Sequence, residues 1–351
     1  MVYTNSVLKA RTHTKTEMKG CMQMGKKKLY MVLDTETATL PFVKDVDESA
    51  RKDIAIAKPL VYDLGWTIVD RKGNVYDTRN YLIQETFFVP NVFNTAYYKD
   101  KRPQYMELLA QGKIEVKCWN DAVTEMVKAM KNCYAVCAYN AAFDFKKAIP
   151  FTEKYIKALY SADYNKWEQG QKWHVAKIAK GERKAGTNPR YLKPVFEIRG
   201  ESFPIVDLWA LACDLNRKLI NIDRYRKFCL DRGYWTNSCV YFKTSAETAF
   251  QYLMNKYDFI ESHTALDDAK IESQILVKAL SKGKVDPMMG VFPFRDLGTT
   301  IEFAIAHPDQ KVIDSLYSAL DEYSETINCD TPYFSKIEKM LDTLSCYRTL
   351  E

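Results

Sequence analysis

The stretch Lys28-Leu29-Tyr30-Met31-Val32-Leu33-Asp34-Thr35-Glu36-Thr37 constrains the chain most: an apolar run that reads as a buried strand and ends in two carboxylates. Side chains alternate across a strand, so Asp34 and Glu36 point to the same side. Two carboxylates on one side of a strand end repel each other and lose hydration unless a cation sits between them. That is the requirement of a site for Mg²⁺ or Mn²⁺. Taken alone, Asp-x-Glu is also what a strand running into a polar loop would carry.

Other segments can bring partners to this strand. Residues 38–58, with Asp45, Asp47, Glu48 and Asp53, show no long periodic pattern and read as a loop. A strand follows over 60–69, then a turn at 70–74 and returning strands at Val75-Tyr76 and Tyr81-Leu82-Ile83. Three strands in series suggest an antiparallel meander at one side of a mixed sheet. Helices are expected over 96–110 and 119–131, and a strand over 133–139 that runs into Asn140-Ala141-Ala142-Phe143-Asp144. A strand turning directly into a helix can project a side chain from a sheet edge into a cleft, which makes Asp144 a candidate. An acid in a first helical turn also suits the helix dipole without any such role.

Further on, Phe203–Trp209 reads as a strand entering a helix, with Asp207 a lesser candidate acid. Thr244-Ser245-Ala246-Glu247 has capping-box spacing ahead of another helix. His263 then lies just before an apolar-striped helix, and Asp268 inside that helix's first turns. A histidine beside a metal-bound acid is placed to take a proton from water, although the pair could equally be a cap and a surface acid.

Asp34-x-Glu36, then Asn140-Ala-Ala-Phe-Asp144, then His263-x-Ala-x-x-Asp268-Ala, in this order, resemble the DEDDh family of 3′–5′ exonucleases, which includes proofreading subunits and domains of bacterial DNA polymerases. The resemblance spans about residues 30–279, and the three motifs together are far more specific than any one. It implies an α/β, ribonuclease H-like fold, a mixed sheet flanked by helices. It also implies that Asp34, Glu36, Asp144 and Asp268 hold two Mg²⁺ or Mn²⁺ ions, with His263 as general base. Asp268, not Asp267, matches the family acid after the histidine. Thr35 and Thr37 match positions that place the terminal nucleotide, and Asn140 is assigned to the substrate with them. Ala38 stands where the family often has glycine.

Composition bounds the rest. At 351 residues and 47% hydrophobic content, the chain can bury a full core. Nine cysteines without a Cys-x-x-Cys pair, and only four histidines, argue for a reducing cytoplasmic setting and against structural zinc. No signal peptide or apolar run of about eighteen residues is present, so no membrane association is expected. The formal charge of +6 is unevenly spread: residues 1–29 carry Lys9, Arg11, Lys15, Lys19 and Lys26–Lys28 against Glu17, and read as a flexible basic arm.

The expected organisation is therefore the arm (1–29), an exonuclease domain (30–285) with a basic insertion at about 160–203, and a mainly helical C-terminal extension (286–351). The insertion interleaves lysines and arginines with aromatic residues, a mixture suited to phosphate contact and base stacking, or to a hairpin packed on the core with its charges in water. Strands or an extended hairpin should carry it, anchored by Trp173, Val175, Leu192, Val195 and Phe196, with Lys180, Arg183 and Lys184 in a mobile basic loop that meets substrate. The expected activity is removal of nucleotides from 3′ ends of single-stranded or frayed DNA, with a polymerase or other replication protein as partner. The alternatives are an RNA-directed exoribonuclease and a non-catalytic nucleic-acid-binding or polymerase-associated scaffold.

Overall fold

A computed structural model describes residues 27–46, 48–180, 182, 193–214, 216, 219–236, 238–290, 293–327 and 332–348. Most of the basic arm, and Arg183 and Lys184 of the insertion, lie outside the described residues. Among the described residues, seven strands form one mixed sheet: β1 (Leu29–Ala38), β2 (Leu60–Asp70), β3 (Val75–Ile83), β4 (Glu115–Lys117), β5 (Ala135–Ala138), β6 (Val195–Ile198) and β7 (Glu201–Asp207). Their order is β4-β3-β2-β1-β5-β7-β6, so β1 is central. The β1-β2-β3 meander is antiparallel, whereas β5 runs parallel to both β1 and β7. The carboxyl ends of these three parallel strands therefore open on the same edge, where ligands bind in sheets of this kind.

β1 is buried on both faces because its apolar residues alternate between two cores. Met31 and Leu33 pack with Trp66, Tyr81, Trp119 and Phe145. Tyr30 and Val32 pack on the other face with Leu208, Phe250, Ile275 and Leu276. Continuing the alternation puts Asp34 and Glu36 on the second face, under the helix Ala265–Lys282. That helix approaches β2 with nothing between the backbones. A Cβ on Gly65 would lie 2.2 Å from the Leu266 nitrogen and 2.5 Å from the Ala265 carbonyl carbon. Gly65 pairs with Asp34 across the β1-β2 ladder, so this absent side chain lets the helix sit directly over the acids. Gly65→Ala is expected to destabilise the fold by about 3 kcal/mol or more, since backbone cannot yield as a side chain can; chemical denaturation measures it, and a loss under about 0.5 kcal/mol would show that the helix shifts freely.

Local structure differs from expectation in four places. Residues 38–58 are not all loop: Pro41–Asp45 forms a 3₁₀ turn and Glu48–Ala57 a helix, its apolar face too short to register as a period. The returning strands at 75–76 and 81–83 are one continuous strand, because the polar residues between them still pair with β2. Among the described residues of the insertion, Tyr164–Ala179 is a helix, and the hairpin of β6 and β7 begins at Val195. Trp173 is 55% exposed and outside the core, whereas Val175, Ile178 and Phe196 are buried. Finally, the cap of helix Ala246–Met254 is Ser245, not Thr244; its hydroxyl accepts the Thr248 N–H at 3.3 Å.

The C-terminal extension packs on the same body. The Asp207 N–H donates to the Met288 carbonyl and the Met288 N–H to the Ile205 carbonyl, both at 2.9 Å, which lengthens the sheet edge by one residue. Helices Thr300–Ala306, Gln310–Glu325 and Pro332–Ser345 then add Ile301, Ile313, Leu316, Leu320, Ile337 and Leu344 to the core beneath Ala265–Lys282. Among the described residues no helix is long and apolar enough to cross a membrane.

Candidate active site

Asp34, Thr35, Glu36, Asp144, His263 and Asp268 line one cleft of about 510 Å³ at the carboxyl ends of β1 and β5. Each arrives by a separate local device. Asp34 and Glu36 share the face set by strand alternation. Thr35 points the other way, and its Oγ1 donates to Asp144 Oδ1 at 2.6 Å. Asn140, in the left-handed region at φ 61°, turns the chain out of β5, and Asp144 opens the π-helical turn Asp144–Ala148. Such wide turns re-aim side chains and recur at functional positions.

His263 and Asp268 are placed by the entry to the long helix. Asp63 Oδ2 accepts the Ala265 N–H at 2.9 Å and so ties the helix start to β2. His263 itself sits at φ 52°, a costly conformation for a side chain of its size, held by three contacts. Its carbonyl accepts the Tyr105 hydroxyl at 3.3 Å, the Ser262 carbonyl accepts the Lys101 ammonium at 2.6 Å, and the Tyr98 ring stacks on its imidazole at 4.3 Å and 15°. Glu36, His263 and Asp268 then offer ligand atoms that all lie within 4.8 Å of one another. Asp267 faces the other way, exposed, and pairs with Lys270 at 2.8 Å.

The electrostatics are one-sided. Burial, and then the repulsion of Glu272, Asp144, Asp268 and Glu36, raise the Asp34 carboxyl well above its ordinary value. Glu36 is raised in the same way by burial and by Asp268. Burial lifts Asp144 to about 7 against the Thr35 hydrogen bond, and burial with Glu261 lifts Asp268 to about 8. Asp268 Oδ1 is buried with no hydrogen-bond partner in a residue only 7% exposed. Burial and the Lys101 ammonium hold the His263 imidazole below its usual value, which favours the neutral ring.

A carboxylate-rich cleft with an orphaned buried oxygen fits a hard divalent cation, whose preferred ligands are oxygen atoms. Asp34, Glu36, Asp144 and Asp268 are the residues that would hold it. Other expected site residues fall elsewhere. Thr37 and Asn140 are not among the cleft-lining residues, and Asn140 is exposed as a turn residue. Lys180 is exposed beyond the end of helix Tyr164–Ala179, and no described residue of 160–203 lines the cleft. Asp207 caps its own helix by accepting the Trp209 and Ala210 N–H groups at 3.0 and 3.3 Å. Sequence reasoning missed Tyr98, Tyr139, Lys243, Glu247, Glu261 and Glu272, all of which line the cleft. Only Glu272 left a signal: it stands one helical turn after Asp268, on the same face. Compared with protein-family models, with curated proteins and with solved structures, the chain matches none of them.

Proposed function

We propose that this protein is a divalent-cation-dependent 3′–5′ exonuclease of the DEDDh type with a ribonuclease H-like fold, acting on single-stranded or frayed DNA. The observation that carries this reading is the convergence of Asp34, Glu36, Asp144, His263 and Asp268, from three distant segments, on one cleft. A packed surface has no need to gather four carboxylates, two of them buried and two half-buried, beside one imidazole, where the acids repel one another. When bound, the cations supply charge to balance these acids and a Lewis acid for the phosphate oxygens.

The chain's own groups account for the rest. The neutral His263 imidazole can accept the proton of an attacking water, and the Tyr98 ring against it limits its rotation. Thr35 holds Asp144 in one rotamer through its hydroxyl, so this acid is aimed before substrate arrives. Lys101 stands beside the carboxylates and Lys243 lines the cleft, and both lower the repulsion felt by an incoming phosphate. The exposed Tyr97, packed edge-on against Tyr98, offers an aromatic surface at the entrance for an unpaired base.

The test is digestion of end-labelled DNA and RNA strands of matched sequence, with free or blocked 3′ ends, in Mg²⁺, Mn²⁺ or chelator. The expected result is stepwise shortening from free 3′ ends of DNA, lost in chelator and with a blocked end. Faster shortening of RNA would reverse the substrate assignment. Cleavage of circular strands would indicate an endonuclease, and binding without cleavage in either metal would indicate a scaffold.

A further inference from the structure

We propose that a basic, ring-lined cavity beside the cleft holds the phosphodiester backbone of the strand whose 3′ end the cleft receives, about four nucleotides in from that end. This rests on the nuclease reading of the cleft. The cavity, of about 650 Å³, opens between the helices Ile222–Leu230, Ala246–Met254 and Ala265–Lys282. Arg224, Arg232 and Lys278 line it, all exposed, and none pairs with a carboxylate among the described residues. Among those residues the lining has one acid, Asp231, which pairs with Lys227 at 3.1 Å. Arg232 is held in place without being neutralised: its guanidinium carbon lies 5.3 Å from the centre of the Phe228 ring and 4.9 Å from that of Tyr257. Stacking fixes the plane of the guanidinium and leaves its edge N–H donors to fork onto two oxygens of an anion. The platform is fixed as well. Asn255, at φ 54°, ends the helix and accepts the Tyr257 hydroxyl at 3.1 Å, and the Phe228 and Tyr257 ring centres are 5.5 Å apart.

Three segments join this cavity to the cleft. Helix Ala246–Met254 begins with Glu247 in the cleft and ends with Leu253 in the cavity wall. The loop after it places Tyr257 at the cavity and Glu261 and His263 at the cleft, and the long helix carries Asp268 at the cleft and Lys278 at the cavity. At about 1.5 Å per residue, the helix from Asp268 to Lys278 covers about 15 Å, or about four nucleotides of a stacked strand at about 3.4 Å each. A strand seated by its 3′ end therefore reaches the three unpaired cations with its next few phosphates. Nucleic acid is favoured over an acidic peptide because the Tyr257 ring, 40% exposed, offers a face to a base beside the guanidinium that takes the phosphate.

The measurement is fluorescence anisotropy of a 5′-labelled 12-nucleotide thymidine strand with the full-length protein in Ca²⁺, strand integrity being checked on gels. The test variant is R224Q/R232Q/K278Q. Its charge-matched control is K52Q/K128Q/K154Q, three exposed lysines on helices whose buried residues Ile54, Met126 and Ile156 belong to the other core. The test variant should bind about 10-fold or more weaker, with the slope of log affinity against log salt reduced by about 2, whereas the control should change by less than about 2-fold. In wild type, a single uncharged methylphosphonate at the third to fifth linkage from the 3′ end should cost about 3-fold in affinity; in the test variant it should cost nothing. Circular dichroism should show both variants folded. Equal losses in the two variants would reduce the effect to overall charge and overturn the cavity as a site. So would a methylphosphonate pattern shared by wild type and test variant. Losses unrelated to distance from the 3′ end would overturn the path from cleft to cavity. Displacement of the strand by polyglutamate from wild type but not from the test variant would make the cavity a surface for acidic protein. The expected binding pattern in a protein that never shortens the strand in Mg²⁺ or Mn²⁺ would fault the nuclease reading alone, and no strand binding by wild type would overturn this inference outright.

Discussion

Asp34→Ala is expected to lower divalent-cation-dependent cleavage by about 10³-fold or more while leaving the protein folded, because it deletes the acid that Glu272, Asp144, Asp268 and Glu36 all repel. His263→Ala should lower turnover by about 10²–10⁴-fold, the usual contribution of a proton acceptor. The two variants differ in what they leave behind. D34A should lose Mn²⁺ uptake together with cleavage, whereas H263A should keep most of the uptake, since the carboxylates remain. D34A should also melt no lower than wild type in chelator, because removing a half-buried, repelled carboxyl relieves the metal-free fold. Normal cleavage by either purified variant would sink the active-site assignment; loss of uptake in H263A would make the imidazole a ligand and not a base.

In chelator, the melting temperature should fall as pH rises from about 4 to about 8, and saturating Mn²⁺ should reverse the fall. The sign follows from the direction of the shifts. Asp34, Glu36 and Glu272 are raised well above their ordinary values, Asp144 and Glu261 to about 7, and Asp268 to about 8. A carboxyl raised in the folded state favours that state while protonated, below its unfolded value, and loses this contribution as pH climbs through the folded value. Divalent cations bind the ionised form, so their stabilisation grows over the same window. Mn²⁺ at about 100 times its dissociation constant adds about 2.7 kcal/mol, or about 4 °C for a chain of this size, near pH 8. Near pH 5 the gain should fall below about 1 °C, as protons hold the acids. Scanning calorimetry with and without Mn²⁺ checks this, and a gain independent of pH would place the bound ion away from these carboxylates.

Much of this architecture was legible in the chain because the relevant physics is local. Tyr30 to Glu36 alternate across a strand, so the shared direction of Asp34 and Glu36 needed only a period of two. The helix Ala265–Lys282 was legible from its apolar stripe, and so was the choice of Asp268 over Asp267, through the motif spacing. The helix Glu48–Ala57 was not: its acids and lysine break the pattern, and packing against Tyr164–Ala179 supplies what the periodicity lacks. The basic run of 160–203 suggested a substrate surface, yet charge in sequence carries no address. Tertiary packing set its helix Tyr164–Ala179 against Glu48–Ala57, and its described strand residues into the far side of the sheet, with none of them in the cleft.

Which acids share a cleft was decided by close approach. Gly65, opposite Asp34, admits the backbone of Ala265 and Leu266, and Asp63 fastens the helix start at that point. That contact, between residues some two hundred apart in the chain, carries Glu272 as well as Asp268 down onto β1. A sequence motif names residues one by one, whereas repulsion among buried carboxylates depends on separations that exist only after the sheet and helix have met. The chain determined by itself which face of β1 would be acidic. Only the packed structure determined how many carboxylates would crowd that face, and so how much charge a bound cation must balance.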